Sequence, residues 1–208
     1  MLLSHCVKAS WSLDHLDVVT AFLNPKVDRD DIYMQLLEGI DWLDPRLSAS
    51  QGVRLLKALY GLKQAPRLWF EDIQAFLLKL GFRQCNEDPN LYIKKGVIIL
   101  LYVDDLLISY CDKQAADEVK QLLKRKYKMS DLGSARRFLG MIIKQTDRGI
   151  FLSQETYIDS MIRRFRMEDA TPVHSPMDPH AMLDNEACED KPADRKLYLS
   201  ICYSSKSI

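Results

Sequence analysis

The stretch Val97 to Tyr110, Val-Ile-Ile-Leu-Leu-Tyr-Val-Asp-Asp-Leu-Leu-Ile-Ser-Tyr, contains two apolar runs on either side of a pair of aspartates. Short runs rich in β-branched and other apolar residues around a polar break are typical of the two strands of a tight hairpin. The sequence therefore predicts strands over residues 97–102 and 106–108, with Asp104 and Asp105 at the bend.

The two adjacent carboxylates are the first candidate for a functional site. Carboxylates inside an apolar segment are costly unless a cation or solvent neutralises them. Mg²⁺ prefers oxygen ligands and is commonly held by one or two protein carboxylates together with substrate phosphates. An ordinary turn is the alternative explanation, because aspartate is a favoured turn residue. The hairpin alone leaves both explanations open.

The composition excludes several classes of protein. The chain has 208 residues and is 47% hydrophobic, which allows one large domain with a substantial core. Basic and acidic residues number 29 each, so any nucleic-acid contact needs a local basic surface. Five scattered cysteines without a Cys-x-x-Cys pair favour a reducing compartment. No apolar run approaches the roughly 20 residues of a membrane span, and we expect no signal peptide. The predicted location is intracellular, in a cytoplasmic particle or the nucleus, and the protein is not expected to be secreted.

A third carboxylate lies near the start of the chain. The segment Leu13 to Leu23 predicts a strand that ends at the turn Asn24-Pro25. Asp17 lies among apolar residues of this strand and is a candidate to face a cleft, although the strand taken by itself favours a solvent-facing aspartate. Further short strands are predicted over residues 32–36, 53–59 and 91–93.

The first predicted helix opens at Pro66 and stops at Gly81. Its apolar side chains recur at helical spacing, which is typical of core packing. They are Trp69, Ile73, Phe76, Leu77 and Leu80. Gly61 and Lys63, just before the helix, could approach a phosphate, but a plain loop is the alternative because Gly-x-Lys is a weak motif.

Two more helices follow. One covers residues 113–128, and we expect its cations to point outward into solvent or, alternatively, onto a nucleic acid. Those cations are Lys120, Lys124, Arg125, Lys126 and Lys128. The other begins after a Ser153 cap and ends in the basic cluster Arg163, Arg164 and Arg166. Segments 138–144 and 149–152 between these helices predict a hairpin.

Four segments, in this order, resemble a reverse transcriptase of the copia-type retrotransposon branch. The segment 16–24 resembles the first catalytic motif, and 59–67 resembles the motif that lines the nucleotide site. The segment 102–105, Tyr-Val-Asp-Asp, is similar to the polymerase signature, and 138–141 resembles the primer-gripping hairpin. Tyr-x-Asp-Asp alone is a weak motif, but four ordered segments make a specific one.

The resemblance implies an α+β fold: a polymerase palm with an antiparallel sheet backed by helices, and a partial thumb. It implies a palm over residues 1–152 and the start of a thumb over 153–170. The Pro-rich and charged segment 171–208 is expected to be a disordered linker or tail. The fingers and a ribonuclease H domain have no counterpart in this pattern, so the chain is expected to be a polyprotein fragment.

The resemblance also implies the site. Asp17, Asp104 and Asp105 would hold two Mg²⁺ ions, or Mn²⁺ instead, for nucleotidyl transfer to a primer 3′-hydroxyl. The expected substrates are an RNA or DNA template-primer and deoxynucleoside triphosphates. Phe22 would exclude a 2′-hydroxyl, and further residues would line the nucleotide and primer sites. These are Tyr60, Gly61 and Lys63 for the nucleotide, and Phe138, Leu139, Gly140 and Met141 for the primer.

Two alternatives accompany this interpretation. The chain could be a truncated, inactive relic that at most binds nucleic acid through its basic helices. It could also be an unrelated two-metal nuclease or phosphotransferase, against which the four ordered motifs argue. Without the basic fingers that hold a triphosphate, we expect the fragment alone to extend primers poorly.

Overall fold

The fold is a mixture of antiparallel sheets and α-helices, as the sequence predicts. A computed structural model describes residues 1–29, 31–36, 38–39, 52–171, 196 and 198–200. The described chain divides into two compact units. The first comprises Met1–Arg136 and Asp147–Ile150, and the second comprises Arg137–Thr146 and Phe151–Ile208.

The first unit is built on a six-stranded sheet in the order β4-β5-β6-β7-β1-β8, in which all neighbouring strands are antiparallel. Its strands are β1 (Ser12–Val18), β4 (Arg83–Gln84), β5 (Leu91–Lys94), β6 (Val97–Tyr102), β7 (Asp105–Tyr110) and β8 (Met129–Ser134). A separate pair consists of β2 (Tyr33–Gln35) and β3 (Gly52–Arg54). The helices are α1 (Leu2–Ala9), α2 (Ala65–Lys79) and α3 (Lys113–Lys126).

The two faces of this sheet are covered differently. On the helix face, Leu16 of β1 and Ile108 of β7 pack with Trp69 of α2 and Val119 of α3 in one buried core. Removing such a fully buried side chain, as in Ile108→Ala, costs about 2–5 kcal/mol. The opposite face, here called the aspartate face, carries the side chains of His15, Asp17 and their cross-strand neighbours, because directly paired residues share a face.

Helix α1 covers one end of the aspartate face. The thiol of its buried Cys6 lies 3.0 Å from the hydroxyl oxygen of Ser109 on β7. Ser109 pairs with Leu13, four residues before Asp17 on β1. The part of the face that carries Asp17 therefore lies toward the other end of the strands, where β6 turns into β7.

The second unit contains a three-stranded sheet in the order β11-β10-β9. Its strands are β9 (Arg137–Phe138), β10 (Met141–Thr146) and β11 (Gly149–Ser153), whose first two residues are counted in the first unit, and helix α4 follows over Glu155–Arg164. The predicted hairpin and third helix are thus confirmed. The hydroxyl of Ser153 accepts a hydrogen bond from the amide of Glu155 at 3.1 Å, but the N-cap position of α4 is Gln154, so the predicted cap Ser153 lies one residue before it.

Some predicted boundaries were wrong. The first strand ends at Val18 rather than near Leu23, because Thr20 takes a left-handed conformation (φ 54°) and Ala21–Leu23 forms a short 3₁₀ helix. The third predicted strand, 53–59, is shortened to β3. The predicted tail 171–208 lies outside the described residues except for 171, 196 and 198–200. None of the helices in the described part of the chain is both long and apolar enough to span a bilayer.

The prediction that Lys120 points outward was also wrong. Its side chain is buried at 7% exposure on the helix face, where the ammonium donates to Asp14. A buried ammonium is costly without a partner, and the carboxylate on β1 supplies one. Lys124 and Lys126 pair with Asp131 at 2.7 Å and with Asp72 at 3.1 Å. Fewer cations of α3 are therefore available to a nucleic acid than the sequence predicts.

Candidate active site

Strand pairing brings Asp17 and Asp105 together. They are direct partners in the antiparallel ladder between β1 and β7, so both side chains lie on the aspartate face. Asp104 lies in the two-residue turn between β6 and β7, and its carbonyl oxygen accepts a hydrogen bond from the amide of Val18 at 2.8 Å. The three predicted carboxylates are here called the acidic cluster. The backbone hydrogen bond from Val18 fixes the turn that carries Asp104 beside the end of β1.

The turn itself has a strained backbone. Val103 has a φ of 55°, which is uncommon for a β-branched residue and costs about 1–3 kcal/mol. The indole of the buried Trp69 donates a hydrogen bond from Nε1 to the Val103 carbonyl oxygen at 2.6 Å. Because α2 packs in the core of the sheet, this bond connects the turn to a rigid element. The turn is therefore fixed from β1 and from α2.

The acidic cluster has an excess of negative charge. Partial burial raises the pKa of the Asp17 carboxyl, and the charges of Asp104 and Asp105 raise it further, while His15 lowers it. Neither Asp17 nor Asp104 accepts a side-chain hydrogen bond or ion pair from any residue in the described ranges. Asp105 has one such partner: its Oδ1 lies 2.6 Å from Nε2 of His15.

The carboxylate oxygens of the acidic cluster are the type of ligand that a hard divalent cation prefers. Carboxylate oxygens are the ligands that Mg²⁺ takes, and a cation would offset both causes that raise the pKa of Asp17, its partial burial first and the neighbouring negative charges second. Among the described residues, no three carboxylate, imidazole or thiol groups lie so that they could hold a metal ion together, and this includes the three aspartates. Mg²⁺ is usually bound through one or two carboxylates plus substrate phosphates rather than in an all-protein cage, so the donors fit this mode.

Two of the predicted nucleotide-site residues lie together. The rings of Phe22 and Tyr60 have centroids 4.9 Å apart and are tilted by 52°. Phe22 follows β1 in the 3₁₀ helix and is half-buried, whereas Tyr60 is exposed in the loop before α2. Phe22 also lines a cavity of about 230 Å³ with Trp69, Tyr102 and other residues. The 3₁₀ helix after β1 and the loop before α2 therefore meet at an aromatic pair.

The other two predicted nucleotide-site residues lie in the same loop. Gly61 has a φ of 96°, a conformation that residues with a Cβ rarely adopt, and a Cβ built there would meet nothing within 4 Å. Lys63 is exposed. The glycine is therefore required by the turn, while the ammonium remains accessible to an anion.

The predicted primer-grip residues form a tight turn in the second unit. Phe138 is buried at the end of β9 and pairs with Met141 at the start of β10. Leu139 and Gly140 between them both have positive φ, 49° and 78°. Leu139 is 45% exposed, so the tip of this turn presents an apolar side chain to the surroundings.

Sequence reasoning missed two residues next to the acidic cluster. His15 lies two positions before Asp17, and an apolar strand pattern gives no reason to connect it with a residue 90 positions later. Trp69 was assigned to core packing, which is correct, but a buried tryptophan also needs an acceptor for its N–H. That requirement is a usable signal, although it does not identify Val103 as the acceptor.

Comparison with known protein families adds an independent result. A family model described as reverse transcriptase (RNA-dependent DNA polymerase) matches residues 1–179. The chain is 35% identical over 211 residues to a retrovirus-related Pol polyprotein from transposon TNT 1-94 of Nicotiana tabacum, covering 98% of this chain and 16% of the relative. The predicted resemblance to copia-type elements is confirmed at this level.

Two further relatives agree. The retrovirus-related Pol polyprotein from transposon RE1 of Arabidopsis thaliana is 36% identical over 188 residues, 88% of this chain and 12% of the relative. The transposon Ty1-ER2 Gag-Pol polyprotein of Saccharomyces cerevisiae is 25% identical over 208 residues, 94% of this chain and 11% of the relative. The chain thus spans less than a fifth of the length of each of these polyproteins.

Proposed function

Because the chain belongs to the reverse transcriptase (RNA-dependent DNA polymerase) family, we propose that it forms the palm of a retrotransposon reverse transcriptase and adds deoxynucleotides to a primer 3′-hydroxyl. The observation that carries this proposal is the strand register that puts Asp17 directly opposite Asp105, next to the turn that contains Asp104. The substrates would be an RNA or DNA template-primer and deoxynucleoside triphosphates. An intracellular site of action goes with this proposal.

In this proposal Asp17, Asp104 and Asp105 hold two Mg²⁺ ions, which Mn²⁺ can replace. When bound, such a pair of ions activates the attacking hydroxyl and stabilises the leaving oxygen of an in-line displacement. The protein positions the carboxylates: two come from adjacent strands and one from a turn that is bonded to both β1 and α2. Phosphoryl transfer depends mainly on such positioning and on charge neutralisation, so a rigid support is what the chemistry needs.

The aromatic pair would form one side of the nucleotide site. Phe22 is proposed to lie beneath the incoming sugar and exclude a 2′-hydroxyl, since its ring is held by contact with Tyr60. Gly61 would let the backbone approach the nucleotide, and the exposed ammonium of Lys63 would approach a phosphate. These assignments extend the family resemblance to individual side chains.

The remaining assignments concern the chain as a whole. Residues 1–152 are proposed to be the palm and 153–170 the beginning of the thumb, with 171–208 as a connecting tail. The turn Phe138–Met141 is proposed as the primer grip, because it combines a fixed backbone with an exposed apolar tip.

Primer extension by paired variants tests the polymerase activity. The purified chain is incubated with a primed RNA template, deoxynucleotides and Mg²⁺, beside Asp104→Asn and the control Asp147→Asn, which removes a charge in an exposed turn. We expect Mg²⁺-dependent extension by the chain and by the control, even if slow, and none above background with Asp104→Asn. Equal extension with and without the Asp104 carboxylate would refute the proposal.

A further inference from the structure

The bond between His15 and Asp105 distinguishes one carboxylate of the acidic cluster from the other two. His15 pairs directly with Leu107, so Asp105 is its diagonal neighbour on the aspartate face. The imidazole Nε2 lies 2.6 Å from Oδ1 of Asp105, and the ring is buried at 7% exposure. A carboxylate accepts but does not donate, so Nε2 carries the hydrogen in this bond.

The hydrogen bond from His15 fixes one carboxylate oxygen of Asp105, Oδ1, and does not involve the second oxygen, Oδ2. The ring is buried, and its backbone lies in an interior strand that pairs on both sides, with a β-bulge toward β8 between His15 and Leu16. Oδ2 of Asp105 has no hydrogen-bond partner among the residues that the structure describes. A bond of this length to an ionised acceptor is at the strong end of protein hydrogen bonds. It therefore restricts the rotamer of the Asp105 side chain.

We propose that His15 is a positioning residue: by holding Oδ1 of Asp105, it orients this carboxylate so that Oδ2 serves as the oxygen for a divalent cation. The inference rests on the proposed function, since it assumes that the acidic cluster binds the cation. Partners that orient a metal ligand typically contribute 10–100-fold to metal affinity. His15 acts through Asp105 and is not assigned any contact with substrate.

The imidazole could instead compete with the cation for Asp105. The two roles are distinguished by whether removing the imidazole lowers or raises the affinity for the cation. If the imidazole competes with the cation for the carboxylate, removing it raises the affinity for the cation. If it orients the carboxylate, removing it lowers that affinity. Glutamine can replace the imidazole as a neutral N–H donor, whereas leucine keeps an apolar bulk without a donor.

The experiment measures Mn²⁺ binding to the full chain at one fixed pH, by the electron paramagnetic resonance signal of the free ion. We expect His15→Leu to weaken binding by about 10–100-fold and His15→Gln to restore most of the loss. His5→Leu is the matched control, because His5 is exposed and packs on Trp11 rather than on a carboxylate. Thermal unfolding of each variant identifies a loss that comes from misfolding.

A fourth variant separates the two proposals. If Asp104→Asn weakens Mn²⁺ binding but His15→Leu leaves it unchanged or strengthens it, the positioning role is wrong and the metal site stands. If Asp104→Asn has no effect on Mn²⁺ binding, the acidic cluster is not the metal site and the proposed function fails with it. Loss in His15→Leu without rescue by glutamine also refutes the hydrogen-bonding role.

Discussion

Strand β1 carries two aspartates, three residues apart, with opposite surroundings. Asp14 lies on the helix face, where it accepts a hydrogen bond from the buried ammonium of Lys120. Asp17 lies on the aspartate face, where partial burial and then the charges of Asp104 and Asp105 raise its pKa. The protein therefore neutralises the charge of Asp14 with a cation of its own, whereas Asp17 lies in a region of excess negative charge.

The difference gives a physical criterion for separating structural from functional carboxylates. A charge that is paired within the fold contributes to stability and has little left to offer a ligand. A carboxylate surrounded by like charges costs stability, and a cation from outside the chain can recover that cost. The ion-pair network, defined as Asp14, Tyr110, Lys120, Lys124 and Asp131, belongs to the first kind. The acidic cluster belongs to the second.

The largest effect is expected on the free energy of unfolding from Asp14→Asn, which removes the carboxylate that neutralises Lys120. Removing one partner of a buried pair leaves an unpaired buried charge and costs about 3–5 kcal/mol. The second carboxylate near Lys120, on Asp131 at 3.9 Å, favours the lower end of that range. Urea unfolding measures the change. The exposed Asp147→Asn is the control, with an expected change within about 0.5 kcal/mol; equal stability of both variants would contradict the prediction.

Asp17→Asn should have the reverse profile. We expect Mn²⁺ affinity to fall by more than about 100-fold and the slow primer extension to fall to background, because a ligand should matter more than the groups that orient it. Stability should stay the same or rise, since the substitution removes a like-charge repulsion. Activity and unfolding are measured on the same preparation. A clear loss of stability in Asp17→Asn would show that this carboxylate has a structural partner after all.

The sequence predicts much of this arrangement because its signals are local. The hairpin around Asp104 follows from two apolar runs and a polar break, and helix α2 follows from periodicity with Pro66 and Gly81 at its ends. The three carboxylates were candidates from their apolar surroundings, but their shared role as metal ligands came from the family resemblance, which no spacing rule supplies. Their register across β1 and β7 comes from the structure alone, because β7 is buried from Leu106 to Tyr110 without alternation.

What the sequence did not predict depends on contacts between distant residues. Strand β8 has Asp131 and Gly133 and no regular apolar alternation, so its pairing with β1 determines its conformation. Helix α1 has no side-chain cap at its start and one buried residue, Cys6. Lys120 had a usable signal: it lies four residues after Ala116 on the apolar stripe of α3, where a cation needs a buried partner.

A smaller effect is expected from Trp69→Phe, which loosens the acidic cluster without changing its charge. The substitution keeps an aromatic ring in the core but leaves the Val103 carbonyl without its indole donor, at a cost of about 1–3 kcal/mol. Mn²⁺ affinity should also fall, since the turn loses its connection to α2. Trp11→Phe is the control for tryptophan removal. Unchanged affinity with lowered stability would show that the bond supports the fold alone.

The smallest effect is a loss of stability at alkaline pH, and it concerns the pair formed by Asp14 and Lys120. Burial by itself lowers the pKa of the Lys120 ammonium, but the hydrogen bond and charge of Asp14 outweigh it and raise the pKa above its ordinary value. A raised pKa means that the folded state holds the proton more tightly than the unfolded state does. The stability from this pair is therefore complete below about pH 10 and declines as the pH rises through the folded-state value.

Lys120→Arg separates this contribution from others in the same pH range. The phenol of Tyr127 also has a raised pKa, from burial and from its hydrogen bond to Asp72 at 2.8 Å, so it adds to the alkaline loss in both proteins. Arginine keeps its charge beyond pH 12, so the variant should lose less stability than the wild type between about pH 10 and 12. Urea unfolding across that interval measures the two slopes. Identical slopes would mean that Lys120 does not titrate with unfolding, and that the charge balance on the helix face has another source.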